Sequence, residues 1–196
     1  MKKVSIKPAM VLALAVFGFA ALITSCKKAD NPNIIYTSYN KTVTGTVGSI
    51  VVDSIDLNLD TKSDFRFGIS QTVTGDSIAV LISGGYIGGI YIDSTLALDF
   101  MYQVKPLNKN ETPANYVPGV MQWEQVGLID IKRAPDITGL AGSGDKFIPV
   151  FVYNTLTSKF HYGWIRVNMS SDHKTFKLID GAFNLIPDVP VKMGAK

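Results

Sequence analysis

From residue 34 onward the chain alternates short runs of Val, Ile, Phe, Tyr and Thr with Gly, Asn, Asp and Pro, and no segment sustains an apolar i, i+3, i+4, i+7 stripe. β-Branched and aromatic residues suit a pleated, half-buried surface, and the punctuating residues supply turns. Strands are predicted at 34–39, 48–57, 64–73, 77–83, 87–92 and 97–104, and again at 146–153, 160–169 and 175–179. The fold expected is all-β, an antiparallel β-sandwich or jelly roll. Between them, 106–144 holds Pro106, Pro113, Pro118 and Pro135, both glutamates and Trp123. It reads as one long excursion with a strand near 126–131, and a loop of that size is either functional or poorly ordered.

The first 25 residues read as a signal peptide. Lys2, Lys3 and Lys7 precede an uncharged run from Ala9 to Ile23, which is shorter than the roughly 20 residues of a membrane span. The run ends in Leu22-Ile23-Thr24-Ser25-Cys26, which resembles the lipobox of bacterial lipoproteins. The resemblance implies cleavage after Ser25 and acylation of Cys26, the only cysteine in the chain. Two or three acyl chains, at about 0.8 kcal/mol per buried CH₂, hold a protein on a membrane far better than one. Lys27 after the cysteine implies transfer to the outer membrane, and the Lys27-Lys28-Ala29-Asp30 start resembles a surface-export leader, which implies a surface-exposed protein. Residues 26–33 then form the acylated cysteine and a tether, and 34–196 a single domain.

Cleavage also changes the charge. Of 19 basic residues the signal removes three, which leaves 16 against 16 acidic ones. A neutral mature chain without a basic stripe gives no support to nucleic-acid binding. A single cysteine excludes a disulfide framework and any cysteine-based zinc site.

Two motifs carry candidate chemistry. In the first, Asp56, Asn58, Asp60 and Asp64 stand at positions one, three, five and nine of a calcium-type loop, with the Lys62 carbonyl at seven. Hard oxygens on a curled backbone are what calcium requires. Thr61 replaces the glycine usual at position six, and Phe67 replaces the acidic residue at twelve. The competing reading is an Asx-rich turn without an ion.

In the second motif, Phe160, Tyr162, Trp164 and Arg166 share one strand face, and Ile165, Val167 and Met169 the other. The aliphatic face is expected to be core. Tyr162, Trp164 and Arg166 form either a platform for a glycan or protein ligand, or a second buried layer with Arg166 paired to an Asp.

Together these motifs, with Ile34-Ile35-Tyr36, the Ile179-Asp180-Gly181-Ala182-Phe183 segment and the stretch Pro187 to Gly194, resemble a group of bacterial secreted and lipid-anchored surface proteins of unknown function. The resemblance covers about residues 34–70 and 146–194. It implies a β-rich extracellular domain with a calcium-type loop and no known chemistry.

Catalytic signatures are sparse. No G-x-S-x-G, H-E-x-x-H or P-loop occurs. The glycine-rich run 84–89 lacks a following Lys-Ser/Thr and reads as a hairpin or bulge. His173, after Ser170-Ser171-Asp172, is expected to be a solvated turn residue, and His161 a packed or edge residue. Glu111 and Glu124 are the only glutamates. The enzyme alternative is a carbohydrate-active hydrolase that pairs one of them with an Asp. The function expected is a non-catalytic binding or structural module of the cell envelope.

Overall fold

A computed structural model describes residues 31–85, 87–98, 101–113 and 123–196, and all statements below refer to them. Its twelve strands are β1 (Ile34–Thr44), β2 (Ile50–Ile55), β3 (Phe65–Gln71), β4 (Ile78–Ser83), β5 (Gly88–Leu98) and β6 (Met101–Val104) in the first half. The second half contributes β7 (Trp123–Glu124), β8 (Val126–Arg133), β9 (Asp136–Gly139), β10 (Asp145–Asn154), β11 (Lys159–Met169) and β12 (Thr175–Asn184). The all-β class expected from the sequence is what is found, with no helix among the described residues.

Hydrogen bonding links the strands in the order β1-β12-β11-β10-β5-β6-β8-β4-β3-β2, with β7 added to β5 and β9 to β8. All pairs are antiparallel except β6 with β8. Strand β5 belongs to both layers: Gly88–Ile90 pairs with β10, and Ile92 to Leu98 pairs with β6. The two end strands nearly close the sheet into a barrel, joined by side chains rather than a ladder. Lys41 Nζ donates to Asp53 Oδ1 at 2.8 Å and to the Ser54 carbonyl at 2.9 Å, and Tyr39 OH donates to the Asp56 carbonyl at 3.2 Å.

Alternation fills the space between the layers. Phe65, Phe67 and Ile69 of β3, Val80 and Ile82 of β4, Ile148, Val150 and Val152 of β10, and Ile165, Val167 and Met169 of β11 form one buried cluster. Phe67 stacks on Phe176 across the core at 5.4 Å.

Two bulges change which face a strand presents. On β12, Leu178 faces Val167 while Asp180 faces Arg166, so one residue is extra. Phe176 and Leu178 therefore lie in the core, and Asp180 and Ala182 on the outer face. On β8, Asp130 faces Val80 while Leu128 faces Leu81. That shift turns the Asp130 carboxylate toward the interior.

The excursion expected at 106–144 is corrected in part. Residues 126–139 are two strands, β8 and β9, built into the sheet, and Leu107 bridges to Phe147. Prolines misled the reading, because Pro135 occupies the β8–β9 turn, where it interrupts no ladder. The strand expected at 97–104 splits into the end of β5 and all of β6, which pair as a hairpin.

Candidate functional site: the aromatic face and the Asp56–Asp64 loop

Strand β11 turns Phe160, Tyr162, Trp164 and Arg166 away from the core, and the register sets Tyr153, Phe151 and Phe147 of β10 opposite Phe160, Tyr162 and Arg166. The outer face of this layer is thus a strip of aromatic rings, and two covers divide it.

The C-terminal tail lies over one half. Val191 and Met193 join Phe147, Trp164 and Ala182 in a second apolar cluster, with Phe147 edge-on to Trp164 at 5.1 Å. Trp164 is 0% exposed, so it has no ring face on which a sugar could stack, and Tyr162 is buried as well. Arg166 is committed to the fold. Its Nε donates to Asp180 Oδ1 at 2.9 Å and its Nη2 to Oδ2 at 2.6 Å, while Nη1 stands 3.5 Å from Asp145. Hydrogen bonding to Asp180 raises the guanidinium pKa above its ordinary value. Tyr36 OH donates to the same carboxylate at 2.8 Å. The three residues singled out as a ligand platform therefore stand in a buried layer, the second of the two readings open from sequence.

Trp123 on β7 lies over the other half, with its ring 5.0 Å from Tyr91, 5.3 Å from Phe151 and 5.8 Å from Tyr162. Among the described residues this cover is incomplete. Trp123, Phe151, Tyr153 and Phe160 are each half-buried and line a cleft of about 450 Å³, together with the polar side chains of Glu124, Gln125 and Ser158. Sequence reasoning missed this group because its members lie on three strands. The available signals were Phe160, already placed on the outer face of β11, and the outward pair Phe151 and Tyr153, two residues apart.

The loop between β2 and β3 is built from its own carboxylates. Asp56 accepts from the backbone N–H groups of Asp60 at 3.2 Å and Thr61 at 2.6 Å, Asn58 from Asp60 at 2.9 Å, and Asp60 from Lys62 at 2.9 Å. Buried Asp64 accepts from Leu57 at 2.7 Å and Asn58 at 3.2 Å. Thr61 has φ = 73° and Leu59 φ = 62°. A β-branched residue rarely adopts that conformation, yet Thr61 takes the left-handed turn that glycine usually supplies.

The oxygen-rich side chains fit a hard cation in kind. Among the described residues, however, no three His, Cys, Asp or Glu side chains stand close enough to share an ion. An ion would have to draw Asp56, Asp60 and Asp64 together around the Asn58 side chain and the Lys62 carbonyl. Desolvation raises the Asp64 pKa and repulsion from Asp56 and Asp60 adds to it, against the lowering effect of the Leu57 and Asn58 N–H groups.

The remaining candidates separate. Exposed Glu111 closes its own turn by accepting from Asn108 N at 2.7 Å, and that bond holds its pKa low. Glu124 is the only carboxylate among the described residues that line the aromatic cleft. His161 stacks on Phe183 at 5.5 Å, with Nδ1 3.1 Å from the Asn184 carbonyl, which makes it the packed residue expected. His173 is not solvated: Nδ1 lies 2.6 Å from Asp130 Oδ2, with side chains 13% and 0% exposed. The left-handed turn at His173 (φ = 67°) brings the ring in to meet a carboxylate placed there by the β8 bulge.

Cys26 and the tether up to Asp30 lie outside the described residues. Comparison with protein families, with curated proteins and with solved structures finds no match to this chain.

Proposed function

We propose that this chain is a non-catalytic binding module of the bacterial cell envelope, held at the outer membrane by lipid on Cys26 and stiffened by calcium in the Asp56–Asp64 loop. The anchor rests on the lipobox sequence alone. The binding role rests on one observation, the cleft lined by the half-buried rings of Trp123, Phe151, Tyr153 and Phe160. Such half-buried rings retain apolar area on which a ligand can pack, and a cleft of this size with a few polar groups is typical of a ligand site. The polar side chains of Glu124, Gln125 and Ser158 suit hydroxyl groups. Paired-carboxylate hydrolysis would need a second carboxyl about 5–9.5 Å away, and Glu124 has no companion among the described cleft residues.

A glycan array probed with the labelled full chain tests this reading. Binding is expected, with Phe160→Ala weakening it about tenfold, or 1.4 kcal/mol. A chain that binds nothing on the array, or binds equally well after that substitution, removes the aromatic cleft as a glycan site.

Calcium binding has a separate readout. At free calcium about 100 times the dissociation constant, the folded state gains about 2.7 kcal/mol. At about 2–4 °C per kcal/mol for a domain of this size, chelator is expected to lower the melting temperature by several degrees. Asp60→Ala should abolish the difference. A carboxyl whose folded pKa is raised contributes stability below its unfolded pKa and loses it as pH rises through the folded one. Ionised Asp64 therefore costs stability near neutral pH without metal, and Asp64→Asn is expected to raise the melting temperature in chelator. An unchanged melt at millimolar calcium would make the loop a plain turn.

A further inference from the structure

We propose that the end of the domain where the chain enters at Asn33 is a membrane-docking surface, which sets its exposed apolar side chains into the bilayer interface; this rests on the lipid anchor read at Cys26.

Three segments meet at this end. The Leu185 N–H donates to the Asn33 carbonyl at 2.8 Å, so the turn after β12 stands beside the point of entry. Leu185 also lines a hollow with Leu156 of the β10–β11 turn and with Asn58 and Asp60 of the β2–β3 loop. Each segment turns apolar side chains to solvent. Leu156 is 95% exposed and Leu59 57%, and Leu185, Ile186 and Val189 lie between 41% and 48%. Their backbones are tied down: Ile186 N donates to Asn184 Oδ1 at 3.0 Å, Asn184 Nδ2 to the Val189 carbonyl at 2.9 Å, and Leu156 N to Asn154 Oδ1 at 3.0 Å. Exposed apolar side chains gathered at one place mark an interaction surface for a protein or a membrane.

The length of chain before Asn33 selects the membrane. Seven residues lead from Cys26 to Asn33. An extended chain spans at most about 3.3–3.6 Å per residue, so lipid on Cys26 would keep the entry point within about 25 Å of the bilayer. Strand β1 runs eleven residues away from that point, which is about 36 Å at about 3.3 Å per residue. Val47 and Val73, exposed as well, stand past its far end, where Gly48 packs against Val73. They lie farther from Asn33 than the tether reaches, so the anchor presents the near end.

Charge does not select the surface. Lys159 and Asp188 pair at 2.6 Å, and Lys62 stands among Asp56, Asp60 and Asp64. Among the described residues this end therefore offers no basic cluster to an anionic headgroup. Apolar side chains carry the contact, reaching about 5–10 Å into the headgroup boundary as the apolar face of an interfacial helix does. A neutral phosphatidylcholine surface suffices for that.

The full chain, expressed with its signal and reconstituted in phosphatidylcholine vesicles, tests the docking through an environment-sensitive fluorophore on an introduced cysteine. Leu156→Cys and Val189→Cys place it at the docking end, and Val73→Cys, at a position 81% exposed, at the far end. Acylated Cys26 has no free thiol, so only the introduced cysteine takes the label. Spin-labelled lipid is expected to quench the labels at 156 and 189 by about twofold or more, and aqueous iodide to quench the label at 73 alone. Label uptake by the unsubstituted chain would show a free Cys26 thiol and overturn the anchor and the docking together. An acylated chain whose labels at 156 and 189 respond to iodide as the label at 73 does would overturn the docking while the anchor survives. Labels shielded from iodide yet untouched by the lipid quencher would also overturn it, and would point to a second copy of the chain over this end.

Discussion

Asp130→Ala is expected to cost about 3–5 kcal/mol of folding stability, the order for leaving two buried polar partners unpaired at about 1–3 kcal/mol each. The carboxylate is 0% exposed and receives two hydrogen bonds, from His173 Nδ1 at 2.6 Å and from Ala141 N at 3.0 Å. Both donors would be left in the interior without an acceptor. Gly139, at φ = 129°, packs so closely that a Cβ there would lie 2.4 Å from Asp130 Cα, which leaves little room for β9 to slide in and compensate. The pair joins β8 in one layer to the β11–β12 turn of the other, so its loss should loosen the layers from each other. Urea denaturation followed by far-UV circular dichroism measures the cost. His173→Ala should remove less stability when added to Asp130→Ala than it removes by itself, and additive effects would show that the two side chains do not act as a pair.

Asp180→Ala is the second large effect, about 3 kcal/mol and at the lower end of the same range. Its carboxylate is 2% exposed but its main partner, Arg166, is 31% exposed, so solvent and Asp145 recover part of the loss. The substitution strands the guanidinium and frees the Tyr36 hydroxyl, and with them the contact between β1, β11 and β12. Emission from Trp164, packed beside this group, should shift red as water reaches the ring. A cost under 1 kcal/mol in urea would mean that the pair is screened like an ordinary surface bridge.

Most strands were legible because their outward residues are polar or aromatic and their inward ones aliphatic, as in β3, β4 and β11. Legibility failed where alternation itself fails. The prediction for β12 stopped at residue 179, whereas the strand continues to Asn184. The bulge there places Asp180 after Ile179, and a charged residue followed by glycine reads as a turn when the Arg166 partner is out of sight. Asp130 was overlooked for the same reason, since no local pattern marks an aspartate as facing inward. For the candidate site, the sequence singled out the correct strand face but not which rings on it are fully buried. Trp164 and Phe160 look alike in a strand pattern. What separates them is the C-terminal tail, joined to Trp164 only through packing across some thirty residues of chain. Trp123, which defines the open cleft, came from a stretch whose prolines hid its strands.

The pairing of the first strand with the last has a kinetic consequence. Ile34 faces Asn184 and Thr44 faces Thr175, so β1 finds its only ladder partner after nearly the whole domain has been made. On a chain that emerges from its N-terminus, β1 waits as an unpaired strand, and closing a loop of that length must precede any gain from the contact. The hairpins β2–β3, β3–β4 and β10–β11 can form as they appear, whereas β1 cannot. Folding of this domain should therefore be completed late, when its last strand becomes available to the first.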